Sequence, residues 1–118
     1  MYKIQVEGNF SSAHNLRGYK GKCEELHGHN WKVEIVAAKV SLDKAGLLLD
    51  FHYLKKKLKA VLERLDHKYL NKIPYFKKVN PTSENIARYI YEQLKSGVPA
   101  LSSVTVWESA NSSATYEE

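Results

Sequence analysis

The 118-residue chain contains little cysteine, little proline and no long apolar run. Its single cysteine excludes an intrachain disulfide and is typical of proteins from a reducing compartment such as the cytosol. No apolar stretch approaches the roughly 20 residues that a membrane-spanning helix needs, and the first residues lack the apolar segment of a signal peptide. We therefore expect one soluble, cytoplasmic domain over residues 1–118, with no membrane partner.

Basic residues outnumber acidic ones, 18 Lys and Arg against 13 Asp and Glu, which gives a net charge of +5. Such a charge favours an anionic partner, either a nucleic acid or a phosphorylated small molecule. The densest basic stretch, at residues 55–59, is interleaved with leucines at helical spacing. The leucines then face the core and the lysines face solvent. No nucleic-acid-binding motif accompanies this stretch, so we expect no nucleic-acid partner.

The spacing of apolar residues predicts an α+β fold with an antiparallel sheet and helices on one face. Period-two alternation indicates strands, and period-3.6 spacing indicates helices that Asp50 and Thr82 cap. Leu47–Leu49 are expected to extend the sheet, and the segment with Pro74 and Pro81 is expected to be a loop. The predicted order is strands at 2–14 and 29–40, helices at 51–65 and 82–97, then strands at 101–108 and 114–116.

Three of the five histidines and the only cysteine fall within sixteen residues, from His14 to His29. His27 and His29 are two apart where the second predicted strand begins, and residues two apart in extended backbone can project from one face. His14 ends the preceding strand and would reach the same point if the two strands pair as a hairpin. Three neutral imidazoles suit zinc and leave a fourth position open, as in catalytic sites. A closed structural site with Cys23 as fourth ligand is the alternative, and the residue types alone leave it open.

Six short motifs, in order along nearly the whole chain, jointly resemble one family. They are Phe10-Ser11-Ser12-Ala13-His14, Cys23-x-x-x-His27-Gly28-His29, Asp50-Phe51, Leu65-Asp66-His67, Pro81-Thr82-Ser83-Glu84-Asn85 and Trp107-Glu108. The chain resembles the 6-pyruvoyl-tetrahydropterin synthase family, and more closely its 6-carboxytetrahydropterin synthase branch in queuosine biosynthesis. The three-residue gap between Cys23 and His27 distinguishes this branch from the pyruvoyl enzymes, which typically have a longer gap.

The resemblance implies a tunnelling fold, in which the four-stranded sheets of several subunits join into a barrel. Family members commonly form homo-hexamers of two trimers with active sites at subunit interfaces. The implied reaction is that of a zinc-dependent carbon–carbon lyase. It would remove triphosphate from dihydroneopterin triphosphate, release acetaldehyde and leave 6-carboxytetrahydropterin. A pyruvoyl synthase, which stops before carbon–carbon cleavage, and a non-catalytic zinc protein are the alternatives.

The resemblance also implies catalytic roles for individual residues. His14, His27 and His29 would hold zinc, and Cys23 would act as general base with its thiol pKa lowered by the nearby positive charge. His67 would donate or relay a proton, with Asp66 orienting it. From the residues alone, an Asp-His pair at a helix C-terminus is more often a polar cap.

Four further residues resemble the substrate-binding positions of the family. Glu108 would anchor the pterin, because a carboxylate can accept two parallel hydrogen bonds from the pterin amino group and ring nitrogen. Thr82, Ser83 and Glu84 would line the pterin pocket, although helix capping explains them nearly as well. The basic residues Arg17, Lys20 and Lys22 could meet the triphosphate.

Overall fold

The structure, a computed structural model, describes residues 1–18, 21 and 25–118. Four strands form one antiparallel sheet in sequence order, and three α-helices lie in the connection between the second and third strands. The strands are β1 (Tyr2–His14), β2 (His27–Lys39), β3 (Leu101–Ser109) and β4 (Ser112–Glu117), and the helices are α1 (Phe51–Glu63), α2 (Pro74–Lys78) and α3 (Ser83–Lys95). The predicted α+β class with an antiparallel sheet is confirmed.

The core lies between one face of the sheet and the helices α1 and α3. Alternate residues of the two 13-residue strands are buried on this face, as period-two patterning predicts. The helices contribute a stripe at three- and four-residue spacing. The core includes Val6 and Phe10 from β1, Trp31, Val33 and Ile35 from β2, Leu54 and Leu58 from α1, and Ile86 and Ile90 from α3. The helices therefore cover one face, as the sequence predicts.

Both predicted helix caps are present. The Asp50 carboxylate accepts a hydrogen bond of 2.7 Å from the backbone N–H of His52, and the Thr82 hydroxyl accepts one of 3.1 Å from the backbone N–H of Asn85. Each bond satisfies a donor that the first helical turn would otherwise leave unpaired. The two caps fix where α1 and α3 begin.

Two local predictions are wrong. The segment expected to be a loop contains the short helix α2, which starts at Pro74. Proline suits the first helical turn because its missing N–H has no acceptor there. Leu47–Leu49 do not extend the sheet, because the Asp43 carboxylate accepts bonds from the backbone N–H groups of Ala45 and Leu47 and forms a turn instead.

Within the described parts of the chain, none of the helices has the length and apolar character required to cross a membrane.

Candidate metal centre

The pairing of β1 with β2 brings the three histidines together at one end of the sheet. His14 is the direct cross-strand partner of His27, and His29 lies opposite Ser12. All three side chains project from the helix-covered face. The ring centroid of His14 is 4.5 Å from that of His27 and 5.2 Å from that of His29. The centroids of His27 and His29 are 4.7 Å apart. The predicted hairpin therefore makes the imidazoles converge.

Glu108 adds a carboxylate to this cluster. Its Oε1 lies 3.3 Å from His29 Nε2, and its Oε2 accepts a hydrogen bond of 3.2 Å from the Ser83 hydroxyl. One potential ligand atom from each of the three histidines and Glu108 lies within 4.8 Å of the others. The sequence predicts Glu108 as a pterin anchor but not its position beside the histidines. The signal was the alternation of Val104, Val106 and Glu108, which puts all three on the core-facing side of β3.

The hydrogen bonds of His14 and His27 fix the tautomers of both rings. His14 Nδ1 donates to the Pro81 carbonyl at 2.7 Å, and His27 Nδ1 donates to the Glu25 carbonyl at 2.7 Å. A carbonyl oxygen only accepts, so in each neutral ring the proton is on Nδ1 and Nε2 carries a lone pair. The two Nε2 atoms are 3.0 Å apart. Two lone pairs at this distance repel unless a cation lies between them.

The environments of His14 and His29 favour their neutral imidazoles. His14 is only 2% exposed, and burial lowers its pKa below the usual value. Burial also lowers the pKa of His29. The buried His29 Nε2 has no hydrogen-bond partner among the described residues. Neutral imidazole is the form that binds metal, and nitrogen donors with one carboxylate fit zinc and similar divalent ions. The residues present therefore fit a metal ion.

Asp66 and His67 lie beyond the end of α1, against the outer edge of β1. The Asp66 Oδ1 accepts a hydrogen bond of 2.9 Å from the Ser11 N–H, and the His67 N–H donates to the Ser11 carbonyl at 2.6 Å. Asp66 Oδ2 is 3.0 Å from His67 Nδ1. The bond from Ser11 is the largest cause that lowers the Asp66 pKa. The carboxylate is therefore ionised and holds the neighbouring imidazole.

His67 has a backbone φ of 55°, the only positive value among the described non-glycine residues. This left-handed conformation is unfavourable for a residue with a side chain and is concentrated at functional positions. It turns the chain sharply enough for two adjacent residues to contact each other, which a helix does not allow. The His67 side chain is 82% exposed. An exposed imidazole held by a carboxylate can exchange protons with a ligand in solution.

The remaining predicted site residues have different environments. Thr82 caps α3, Ser83 is buried and contacts Glu108, and Glu84 is exposed in the first helical turn. The Arg17 guanidinium does not extend freely into solvent, because it donates hydrogen bonds to the Phe76 and Val79 carbonyls. Cys23, Lys20 and Lys22 lie outside the described residues.

Comparison with known proteins identifies the family. The profile of the 6-pyruvoyl tetrahydropterin synthase family matches residues 3–118, nearly the whole chain. The chain belongs to this family.

Three of the similar proteins carry three different enzyme names. A 6-carboxy-5,6,7,8-tetrahydropterin synthase from Synechocystis sp. is 38% identical over 98% of this chain and 93% of its own. A dihydroneopterin monophosphate aldolase from Pyrococcus furiosus is 37% identical over 90% of this chain and 89% of its own. The structure of Caenorhabditis elegans 6-pyruvoyl tetrahydropterin synthase matches with a TM-score of 0.89 and 32% identity, covering 99% of this chain and 95% of that one. The chain therefore has the tunnelling fold of its family.

Proposed function

We propose that the chain is a zinc-dependent 6-carboxytetrahydropterin synthase. It converts dihydroneopterin triphosphate and water to 6-carboxytetrahydropterin, acetaldehyde and triphosphate. The observation that carries the metal dependence is the 3.0 Å approach of two Nε2 atoms whose rings both donate through Nδ1. The resemblance to the Synechocystis synthase over nearly the whole chain supports this reaction.

His14, His27 and His29 would hold the zinc ion. When bound, zinc supplies a Lewis acid that polarises the oxygens of the substrate side chain and acidifies the adjacent protons. The Nδ1 atoms of His14 and His27 donate hydrogen bonds to backbone carbonyls. The acceptor is Pro81 for His14 and Glu25 for His27. Such outer bonds orient the ligands and raise their basicity.

Glu108 would anchor the pterin rather than complete the metal coordination. Its Oε2 is oriented by the Ser83 hydroxyl, and its Oε1 is next to His29. A carboxylate oriented in this way can accept parallel hydrogen bonds from the pterin amino group and ring nitrogen. Thr82 and Glu84, on either side of Ser83, would line the same pocket.

Proton transfer would use the Asp66–His67 pair and Cys23. Asp66 holds His67 through Nδ1, which leaves Nε2 of that ring able to take or give a proton. The role of Cys23 as general base remains a prediction from the family motif.

The active site would be completed in a cytoplasmic homo-hexamer made of two trimers. In the part of the chain that the structure describes, β1 and β4 are the edge strands, and no strand pairs with the outer edge of β4 or with that of the N-terminal half of β1. Unpaired backbone groups at such edges favour pairing with another chain. Pairing between copies of this chain would extend the sheet into a barrel.

A dihydroneopterin monophosphate aldolase is a second candidate, because the Pyrococcus furiosus relative of that name is 37% identical, against 38% for the Synechocystis synthase. A 6-pyruvoyl tetrahydropterin synthase is a third, on the 32% identity and TM-score of 0.89 to the Caenorhabditis elegans structure. The three reactions break different bonds. The pyruvoyl synthase keeps the side-chain carbons, whereas retro-aldol cleavage of a monophosphate releases an aldehyde that retains its phosphate.

Product analysis separates these reactions. Zinc-loaded protein is incubated with dihydroneopterin triphosphate and, separately, with the monophosphate. Acetaldehyde together with a carboxylated pterin and free triphosphate supports the proposal. Triphosphate release without acetaldehyde would point to the pyruvoyl synthase, and a phosphorylated aldehyde from the monophosphate would point to the aldolase. Zinc binding without any turnover would leave a non-catalytic zinc protein.

A further inference from the structure

The chain leaves the sheet immediately after His14, and two asparagine side chains take the place of a strand partner there. The Asn71 carboxamide accepts a hydrogen bond of 3.0 Å from the Asn15 N–H and donates one of 2.8 Å to the Asn15 carbonyl. The Asn80 carboxamide accepts one of 3.0 Å from the Arg17 N–H and donates one of 2.8 Å to the Arg17 carbonyl. A primary amide offers one donor and one acceptor side by side, as the backbone of a neighbouring strand does.

Both asparagines are themselves held in place. Asn71 is only 8% exposed, so its two hydrogen bonds form away from water, where losing them is costly. The backbone around Asn80 is bonded on both sides. Asn85 in the first turn of α3 donates to the Asn80 carbonyl at 2.9 Å, and the Arg17 guanidinium donates to the Val79 carbonyl at 3.0 Å.

These bonds connect directly to the metal centre through Pro81. Its carbonyl accepts the Nδ1 proton of His14 at 2.7 Å, and Asn80 precedes it in the chain. His14 therefore belongs to a closed ring. The ring runs from its imidazole to Pro81, back to Asn80, across to Arg17 and along the chain to His14. Asn71 fixes the same chain at Asn15, next to His14. The imidazole is thus constrained at its backbone and at Nδ1.

We propose that Asn71 and Asn80 are positioning residues of the metal centre. They hold the end of β1 and the Pro81 carbonyl in a fixed relation, so that His14 Nε2 faces His27 and His29. The inference rests on the proposed function in one respect, namely that the histidines bind zinc. Groups that orient a metal ligand typically change metal affinity by about 10- to 100-fold when they are removed.

Zinc affinity of three variants, measured by competition with a chromophoric chelator, tests the proposal. Asn71→Ala and Asn80→Ala are expected to bind zinc about 10- to 100-fold more weakly than the unaltered chain. Asp43→Ala is the matched control, because it also removes two hydrogen bonds between a side chain and the backbone. In these bonds two backbone N–H groups donate to the Asp43 carboxylate at 2.9 and 3.0 Å. It lies after the far end of β2, so zinc affinity should be unchanged.

A second measurement separates positioning from general loss of stability. In the zinc-free protein, nitrogen-15 NMR of the histidine rings should show His14 with its proton on Nδ1, and Asn80→Ala should populate the other tautomer. Asn80 is less buried than Asn71, so its variant serves if Asn71→Ala does not fold. Unchanged zinc affinity and an unchanged His14 tautomer in folded Asn80→Ala would overturn the proposal. Absence of zinc binding by the unaltered chain would instead overturn the proposed function, and zinc binding without turnover would overturn only the reaction.

Discussion

His14 Nε2 lies 3.0 Å from His27 Nε2, while the Nδ1 of each ring donates to a backbone carbonyl. Each ring is thereby oriented by an atom of the main chain. The folded chain holds these two lone pairs together before any ion binds, so part of the ordering required for metal binding is already complete.

Zinc should stabilise the folded chain, and the stabilisation should require His14. At a free zinc concentration of 100 times Kd, the expected gain in the free energy of unfolding is about 2.7 kcal/mol. His14→Ala should lose most of this gain. His52→Ala should keep it, since His52 is exposed on α1. Chemical unfolding with and without zinc measures the effect, and equal stabilisation of both variants would contradict the assignment of His14.

Glu108→Gln should keep zinc and weaken substrate binding. The variant retains one acceptor oxygen but loses the charge and one of the two acceptors, which removes about 1.5–3 kcal/mol from a charge-assisted contact. We expect a KM roughly 10- to 100-fold higher and an unchanged zinc Kd. Glu34→Gln, which changes a carboxylate that pairs with Lys32 elsewhere on β2, is the control. A large loss of zinc affinity in Glu108→Gln would show that Glu108 is a metal ligand instead.

The zinc-free protein should become less stable as the pH falls below about 6.5, the ordinary histidine pKa. Burial lowers the pKa of His14 and His29 in the folded state. The unfolded chain therefore takes up protons first, and stability falls with decreasing pH until the folded pKa is reached. Urea unfolding at pH 7.5 and 5.5 measures this. His14→Phe should show a shallower dependence, whereas greater stability at pH 5.5 would contradict the account.

His67→Gly should lower turnover without lowering stability. Glycine adopts the φ of 55° without the steric cost that a side chain incurs, and an exposed imidazole contributes little packing. Loss of a general acid or base typically reduces kcat by about 100-fold or more. Zinc affinity should be unchanged. His67→Ala, which keeps the backbone strain, should be less stable than His67→Gly. A kcat within twofold of the unaltered chain would exclude His67 from proton transfer.

The first two strands and the candidate metal-binding histidines could be predicted from sequence, because period-two alternation indicates where the strands lie. Alternation over 2–14 ends the first strand at His14, and the two-residue spacing of His27 and His29 puts both imidazoles on one face. The three converge because β1 pairs with β2, the condition on which the prediction rested. The helix α2 was missed, since five residues from Pro74 to Lys78 are too few to show a helical period. The position of Glu108 beside His29 depends on β2 pairing with β3, a long-range contact that local patterns do not encode.

The contact between Asp66 and His67 was only partly predictable. Adjacent residues do not share a helix face, so Asp66 could orient His67 only beyond the end of the helix. The sequence did not show that the segment would pair with Ser11 at the edge of β1. That pairing lowers the Asp66 pKa, and no residue pattern near position 66 indicates it.

X-ray absorption at the zinc edge of the zinc-loaded protein tests the central claim most directly. The account predicts nitrogen and oxygen neighbours at about 2.0–2.1 Å with imidazole outer shells and no sulfur, because three histidines hold the ion and one position stays open. A sulfur neighbour at about 2.3 Å would place Cys23 on the metal. That result would contradict the open catalytic site and support a closed structural one.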